Sequence, residues 1–433
     1  MSVFLDFLRP RRRLQPNTLQ SNNEEKAQRK NKAHKENGLH GTLPPVCVPS
    51  VTERRPPRTP TVCLASGTER KALKGRSKTK QPKEKSYFPF QRLPLDCKLK
   101  VFMFLNMIDK GRSAQVCTEW QDLLKMPSLW VDVDFTLFPL CFNANTGHTC
   151  NRDCYEQYQI RVKASMKHLA AISPVMKRFC FAFDIGDFAD GWLNSVEDLI
   201  LHSNFRDLTC VYLNWKETPV KPFWIEQVQY KWEKYNDYVY RHRRRGRCFV
   251  NFFDLFTSQA SNIKCLALPF YWNERSVRNM ARLRNLEVLI LEKDYVFQII
   301  NQSHLNELLL NLPKLRKLVL EVWIPERLWP YEMTSESLQH LDISQCRGFC
   351  LKKVNMPNLE TFRVTLFPTG DSSILIPDTF PCLHDVLVQG APELKSINGL
   401  KLPNDWKLEI SPQMESLYRT VCPCIRHKPS QLA

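Results

Sequence analysis

Four residues within one 14-residue stretch, Cys141, His148, Cys150 and Cys154, carry side chains that bind soft divalent metals. Their spacing, C-x6-H-x-C-x3-C, lacks the close ligand pairs at both ends that mark zinc modules. Free thiols are the plainer reading, and neither a metal nor any other cofactor is expected. Cys422-Pro-Cys424 with His427 is a weaker set of the same kind. Sixteen cysteines in 433 residues fall short of a disulfide scaffold and fit free thiols in a reducing compartment. No G-x-x-x-x-G-K-[ST], H-E-x-x-H, G-x-S-x-G or kinase signature occurs. Only 13 residues are Gly, which argues against a Gly-rich nucleotide-binding loop. The expectation is a chain with no catalytic residues.

The second chemistry is electrostatic. The formal charge is +18, and its placement is uneven. Residues 1–86 carry 20 Lys/Arg against 7 Asp/Glu, and residues 230–247 carry 7 against 2. These two segments account for the whole excess, so the remainder is neutral. Arg241-His-Arg-Arg-Arg-Gly-Arg247 lies beside Tyr230, Trp232, Tyr235, Tyr238 and Tyr240, a combination that suits RNA, since cations hold phosphates and rings stack on bases. The neutral surroundings favour a helix with rings inward and charges in water, so a nucleic-acid partner is not expected. An acidic protein substrate lies between these readings.

Short motifs sit in the N-terminal segment. Lys35-Glu36-Asn37 matches the KEN degron read by the anaphase-promoting complex, and Arg11-x-x-Leu14 resembles a minimal destruction box. Thr59-Pro60 after Arg58 is a candidate site for a proline-directed kinase. Lys/Arg clusters at 11–13 and 70–85 fit nuclear import or a solvated tail, so nucleus and cytoplasm are the expected locations. The early apolar patch precedes Arg11, the reverse of a signal peptide's order, and no run of 18 apolar residues predicts a membrane span.

Composition divides the chain. Residues 1–86 read as a disordered basic tail, and aromatic and aliphatic residues become frequent from Tyr87. In residues 93–130, Pro94 suits a first helical turn, and Leu95, Leu99, Phe102 and Leu105 recur on one helical face. Second and third short helices are expected near 109–117 and 118–125, with Pro127 as the stop. Three short helices cannot bury so many large apolar side chains, so a partner is expected to cover them.

These residues resemble the F-box. Leu93-Pro94, Phe104-Leu105, Asp109, Val116-Cys117, Trp120 and Leu129-Trp130 stand in the family's order and spacing. Ala114-Gln-Val-Cys and Trp130-Val-Asp-Val-Asp-Phe look most like F-box proteins that carry leucine-rich repeats. Lys98 and Lys110-Gly111 depart from the pattern, where apolar residues are usual.

The pattern Leu-x-x-Leu-x-Leu then recurs at Leu208/Val211/Leu213, Ile263/Leu266/Leu268, Leu286/Leu289/Leu291, Leu315/Leu318/Leu320, Leu338/Leu341/Ile343, Leu359/Phe362/Val364 and Leu383/Val386/Val388, with a weaker copy at Met176/Phe179/Phe181. From 263 the copies start 23, 29, 23, 21 and 24 residues apart, the period of leucine-rich repeats. One such strand has no core alone, and stacked copies make one. Between 208 and 263, Val228, Trp232, Tyr235 and Val239 predict an amphipathic helix with Arg241–Arg247 at its C-terminal end.

The expected fold class is α/β: a disordered tail (1–86), a three-helix F-box (87–135), a connecting segment (136–175), an irregular leucine-rich-repeat solenoid with a parallel sheet (176–400) holding a basic helical insert (220–250), and a C-terminal cap or tail (401–433). The resemblance implies the substrate-recognition subunit of an SCF-type cullin-RING ubiquitin ligase, with an RNA-binding or structural scaffold as the alternative. Leu93, Pro94, Leu99, Phe102, Leu105, Val116, Cys117, Trp120 and Trp130 are the expected Skp-adaptor-facing and supporting set. Through that adaptor come the cullin and RING subunits; the protein substrate is unidentified. The outward residues between ladder positions, Tyr212, Ile290, Val319, Asp342, Arg363 and Leu387, with Glu292 and Glu321, form the candidate substrate face.

Overall fold

The computed structural model describes residues 89–141, 148–186, 190–214, 235–293, 300–322, 328–365, 380–422 and 424, with the side chains of 235–242 and 293 left out. The chain divides into Met1–Glu84 and Lys85–Ala433, and the first unit lies outside the described residues. So do the expected disordered tail, the KEN tripeptide Lys35, Glu36 and Asn37, and Thr59.

The second unit is mixed α/β and built in two layers. It opens with three short helices, α1 (Leu95–Met103), α2 (Met107–Ser113) and α3 (Thr118–Leu124). Strands β1 (Asp132–Asp134), β2 (Arg178–Ala182), β3 (Cys210–Asn214), β4 (Cys265–Phe270), β5 (Val288–Lys293), β6 (Lys317–Leu320), β8 (His340–Ile343), β10 (Thr361–Val364) and β11 (Ser396–Ile397) pair in parallel in that spatial order. A final strand, β12 (Leu400–Lys401), pairs antiparallel with β11. Each rung is locked alike. Two consecutive N–H groups before or at the strand start donate to one carbonyl of the previous rung, as Glu287 and Val288 do to Lys264, and Arg316 and Lys317 to Glu287. The ladder side chains Leu266, Leu289, Leu318, Leu341 and Phe362 are all buried in one core with the residues three before them. Burial of a leucine at every rung stabilises the stack by about 2 kcal/mol per side chain.

The second layer connects the rungs: α4 (Arg152–Ile172), α5 (Trp192–His202), α6 (Tyr235–Gln259), α7 (Glu274–Met280) and α8 (Gln302–Leu310) lie side by side in chain order. The layer continues as a two-stranded parallel sheet, β7 (Trp329–Thr334) with β9 (Phe349–Asn355), followed by α9 (Leu383–Gly390). The last helix is α10 (Pro412–Val421), capped by Ser411. Gly390 is required where α9 meets β9: a Cβ there would stand 1.8 Å from the Val354 carbonyl oxygen.

Two expectations are corrected. Leu383/Val386/Val388 is not a strand but lies in α9, because Leu383, Val386, Leu387 and Gly390 follow the helical period and all face the core. The next rung is β11, with Leu394 and Ile397 buried. The basic run is not a helix terminus either. The helix α6 runs on to Gln259, carried by Phe249, Phe252, Phe253 and Phe256, which continue its buried face. Val228 and Trp232 lie outside the described residues.

Candidate functional site

The three N-terminal helices expose one surface and use another to attach. Phe90, Phe102 and Trp120 form an aromatic triangle with ring centroids 5.2–5.7 Å apart. Asn106 caps α2 by accepting the Asp109 N–H at 2.9 Å. Trp130 is buried, donates its indole N–H to the Leu124 carbonyl at 2.8 Å and packs on His168 of α4.

The two departures from the F-box pattern have structural work. Lys98 pairs with Glu119 at 2.6 Å, joining α1 to α3. Lys110 is buried, donates to the Leu129 carbonyl at 2.6 Å and stands over the Trp130 ring. Burial pushes its ammonium pKa down, partly offset by Asp132.

Of the nine residues in the expected adaptor-facing and supporting set, Phe102 and Trp130 are interior, only 1% and 2% exposed, which puts them on the supporting side. Leu99, Leu105 and Trp120 pack partly against the core. Leu93 is half-buried, while Pro94, Val116 and Cys117 are exposed. The outer surface carries further apolar residues absent from that set: Leu95, Val101, Met103 and Phe104, the last 91% exposed. Half of the ten exposed large apolar residues of the described chain lie on these helices or in the turns that join them, concentrating uncovered apolar area there. Their helical spacing was visible, but apolar periodicity does not tell the covered face from the free one.

Residues 90–136 match the F-box-like family model. This chain carries an F-box-like domain. The F-box-like domain thus spans α1 to β1 and ends on the first rung of the sheet. At family level it is a segment that docks a Skp-type adaptor of a cullin complex. No curated protein matches the chain.

On the sheet, register places Tyr212, Ala267, Ile290, Val319, Asp342 and Arg363 in one row across β3, β4, β5, β6, β8 and β10. Ala267 is buried, Arg363 is exposed and faces Asp342 at 3.8 Å, and the others are half-buried, as are Glu292 and Glu321. Leu387 is not in this row. It is fully buried on α9 and is withdrawn from the candidate face.

In α6, Arg243, Arg244 and Arg247 are exposed, but Arg245 turns inward to pair with the buried carboxylate of Asp184. Gly186 and Gly246 make room there, against the Arg245 stem and the Tyr271 ring. One cation of the basic run is thus a packing element. Tyr230 and Trp232, and the side chains of Tyr235, Tyr238 and Tyr240, lie outside the described residues.

Two thiol clusters form among the described residues. Cys141, His148, Cys150 and Cys154 bring their ligating atoms within 4.8 Å of one another, and so do the buried Cys382, Cys422 and Cys424. Sequence spacing had joined Cys422 to Cys424 but not to Cys382. No helix of the described residues is long and apolar enough to cross a membrane.

Proposed function

We propose that this protein is the substrate-recognition subunit of an SCF-type cullin-RING ubiquitin ligase. The observation that carries this reading is the exposed apolar surface of the F-box-like domain, made by Leu95, Val101, Met103, Phe104 and Val116. A Skp-type adaptor would cover it, with Pro94 and Cys117 at its margin. The chain performs no chemistry. It holds the substrate near ubiquitin activated elsewhere, raising the effective concentration of its lysines. Co-purification of the full-length chain with both Skp adaptor and cullin tests the reading. Capture of neither overturns it, and capture of adaptor without cullin makes the protein a structural scaffold.

We read the rungs from β2 to β11 as an irregular leucine-rich-repeat solenoid, supported by strand order equal to chain order and by the buried ladder. The row from Tyr212 to Arg363 is the proposed substrate face, apolar at Ile290 and Val319 and charged at Asp342 and Arg363. The boundaries 1–86, 87–135, 136–175, 176–400 and 401–433 stand as the proposed domain organisation. Lys35-Glu36-Asn37 is proposed as a degron that limits the receptor's lifetime, with Thr59 as a phosphorylation site and the nucleus and cytoplasm as locations. Replacing the tripeptide by alanines is expected to lengthen half-life in late mitosis and early G1; equal decay returns it to chance.

A further inference from the structure

The Cys141, His148, Cys150 and Cys154 cluster is assembled from three separate pieces of chain. Cys141 follows the short helical turn after β1, His148 and Cys150 come from the loop before α4, and Cys154 sits in the first turn of α4. The limb carrying Cys141 is held independently: Arg161 of α4 donates to the carbonyls of Pro139 and Leu140 at 3.0 and 2.9 Å. At the other limb Asn151 caps α4 by accepting the Cys154 N–H at 3.1 Å. The limbs carrying Cys141 and Cys154 are therefore held by contacts that do not involve those two thiols.

The distances match a coordination shell. His148 Nε2 stands 3.5 Å from Cys141 Sγ and 3.3 Å from Cys154 Sγ. A zinc tetrahedron with Zn–S about 2.3 Å and Zn–N about 2.0–2.1 Å sets sulfur and nitrogen about 3.6 Å apart and two sulfurs about 3.8 Å apart. All four donor atoms lie within 4.8 Å of each other, so small adjustments of these side chains complete the shell. None of the three thiols is in a disulfide. Three thiols and one imidazole are a soft donor set that selects zinc over magnesium or calcium.

We propose that Cys141, His148, Cys150 and Cys154 form a structural zinc site that staples the end of the F-box-like domain to helix α4. Four protein ligands fill the tetrahedron and leave no position for water or substrate, which makes the site structural rather than catalytic. Each cysteine binds as thiolate, its proton passing to solvent, while His148 binds as neutral imidazole through Nε2. The buried trio Cys382, Cys422 and Cys424 offers three ligands among the described residues and is not assigned a metal.

The test uses the full-length chain, expressed with zinc in the medium and assayed by elemental analysis and by cobalt substitution. Expected are about one equivalent of zinc, its loss in Cys150→Ser and Cys154→Ser, and its retention in Cys422→Ser. Cobalt should give the intense visible bands of a tetrahedral thiolate complex. His148→Cys, which makes a four-thiolate shell, should keep the metal with a shifted cobalt spectrum, so the inference stays testable if the serine variants fail to fold. A chain without zinc or a cobalt spectrum, full retention in both serine variants, loss confined to Cys422→Ser, or a disulfide linking these cysteines each overturns the assignment.

Discussion

Phe104 gives the sharpest separation between docking and folding. It is 91% exposed at the C-terminal end of α1, so truncating it to alanine removes almost nothing from the fold. Surface changes of that kind stay within about 0.5 kcal/mol. If a Skp-type adaptor covers this surface, the ring moves from water into a packed interface, worth about 1.5–3 kcal/mol for a phenylalanine. Taking about 2 kcal/mol, Phe104→Ala should weaken adaptor binding about 30-fold while the melting temperature holds. Phe102→Ala should behave oppositely. Its ring is 1% exposed between Phe90 and Trp120, and removing it costs about 3–5 kcal/mol of local packing. Calorimetric titration of purified adaptor against both variants, with thermal melts alongside, reads the two effects separately. Unchanged affinity for Phe104→Ala would refute the assignment of this surface, whatever Phe102→Ala does.

Arg245→Ala should cost about 2–3 kcal/mol in a denaturant melt, because it leaves a nearly buried Asp184 carboxylate without its guanidinium, whereas Arg243→Ala should cost under about 0.5 kcal/mol. Equal effects would return Arg245 to the solvated basic run. Burial first, with neighbouring Lys317, holds the His340 imidazole below its ordinary value despite Glu360, and burial with Lys125 does the same for His168. The unfolded chain therefore binds these protons first as pH falls below about 6.5, and stability should drop through that window and level once the folded imidazoles are protonated. A melting temperature that rises on acidification from pH 6.5 to 5.5 would contradict this sign. Ile290→Asp with Val319→Asp places two carboxylates side by side on adjacent strands of the proposed substrate face. Substrate capture should be lost with adaptor binding intact, and a large fall in melting temperature would show instead that the row is interior.

Much of the body was legible because burial at fixed spacing leaves a periodic trace. The last two ladder positions of each copy from Val211 to Val364 fall on β3, β4, β5, β6, β8 and β10, with the first position just ahead of the strand. The failure at Leu383/Val386/Val388 has a local cause. Leucine at 387 supplies the i+4 contact that only a helix needs, and the true rung at Leu394 and Ile397 is too short to show the three-residue signature. The length of α6 was missed because the arginine run looks like a terminus, although Phe249, Phe252, Phe253 and Phe256 keep the 3.6-residue period beyond it. Spacing rules also discounted the set Cys141, His148, Cys150 and Cys154, since side chains drawn together from a loop and a helix end need not be close pairs in sequence.

The boundary between F-box-like domain and sheet, drawn at residue 135 from the resemblance, is crossed by continuous structure. Val133 and Phe135 are fully buried, β1 pairs with β2 from Asp132 to Asp134, and Arg178 on β2 reaches back to both of those aspartates. Trp130 and Lys110 anchor the preceding helices on the same core. The domain's last residues are therefore the sheet's first rung, without a flexible linker between them. For a receptor that works by proximity, this continuity matters mechanically. A linker would spread a bound substrate over many positions and dilute its effective concentration, whereas a shared core holds the substrate row at one distance and angle from the adaptor surface. On the proposed reading, Trp130 and the Arg178 pairs transmit position: they touch neither partner, yet they decide where the substrate's lysines stand.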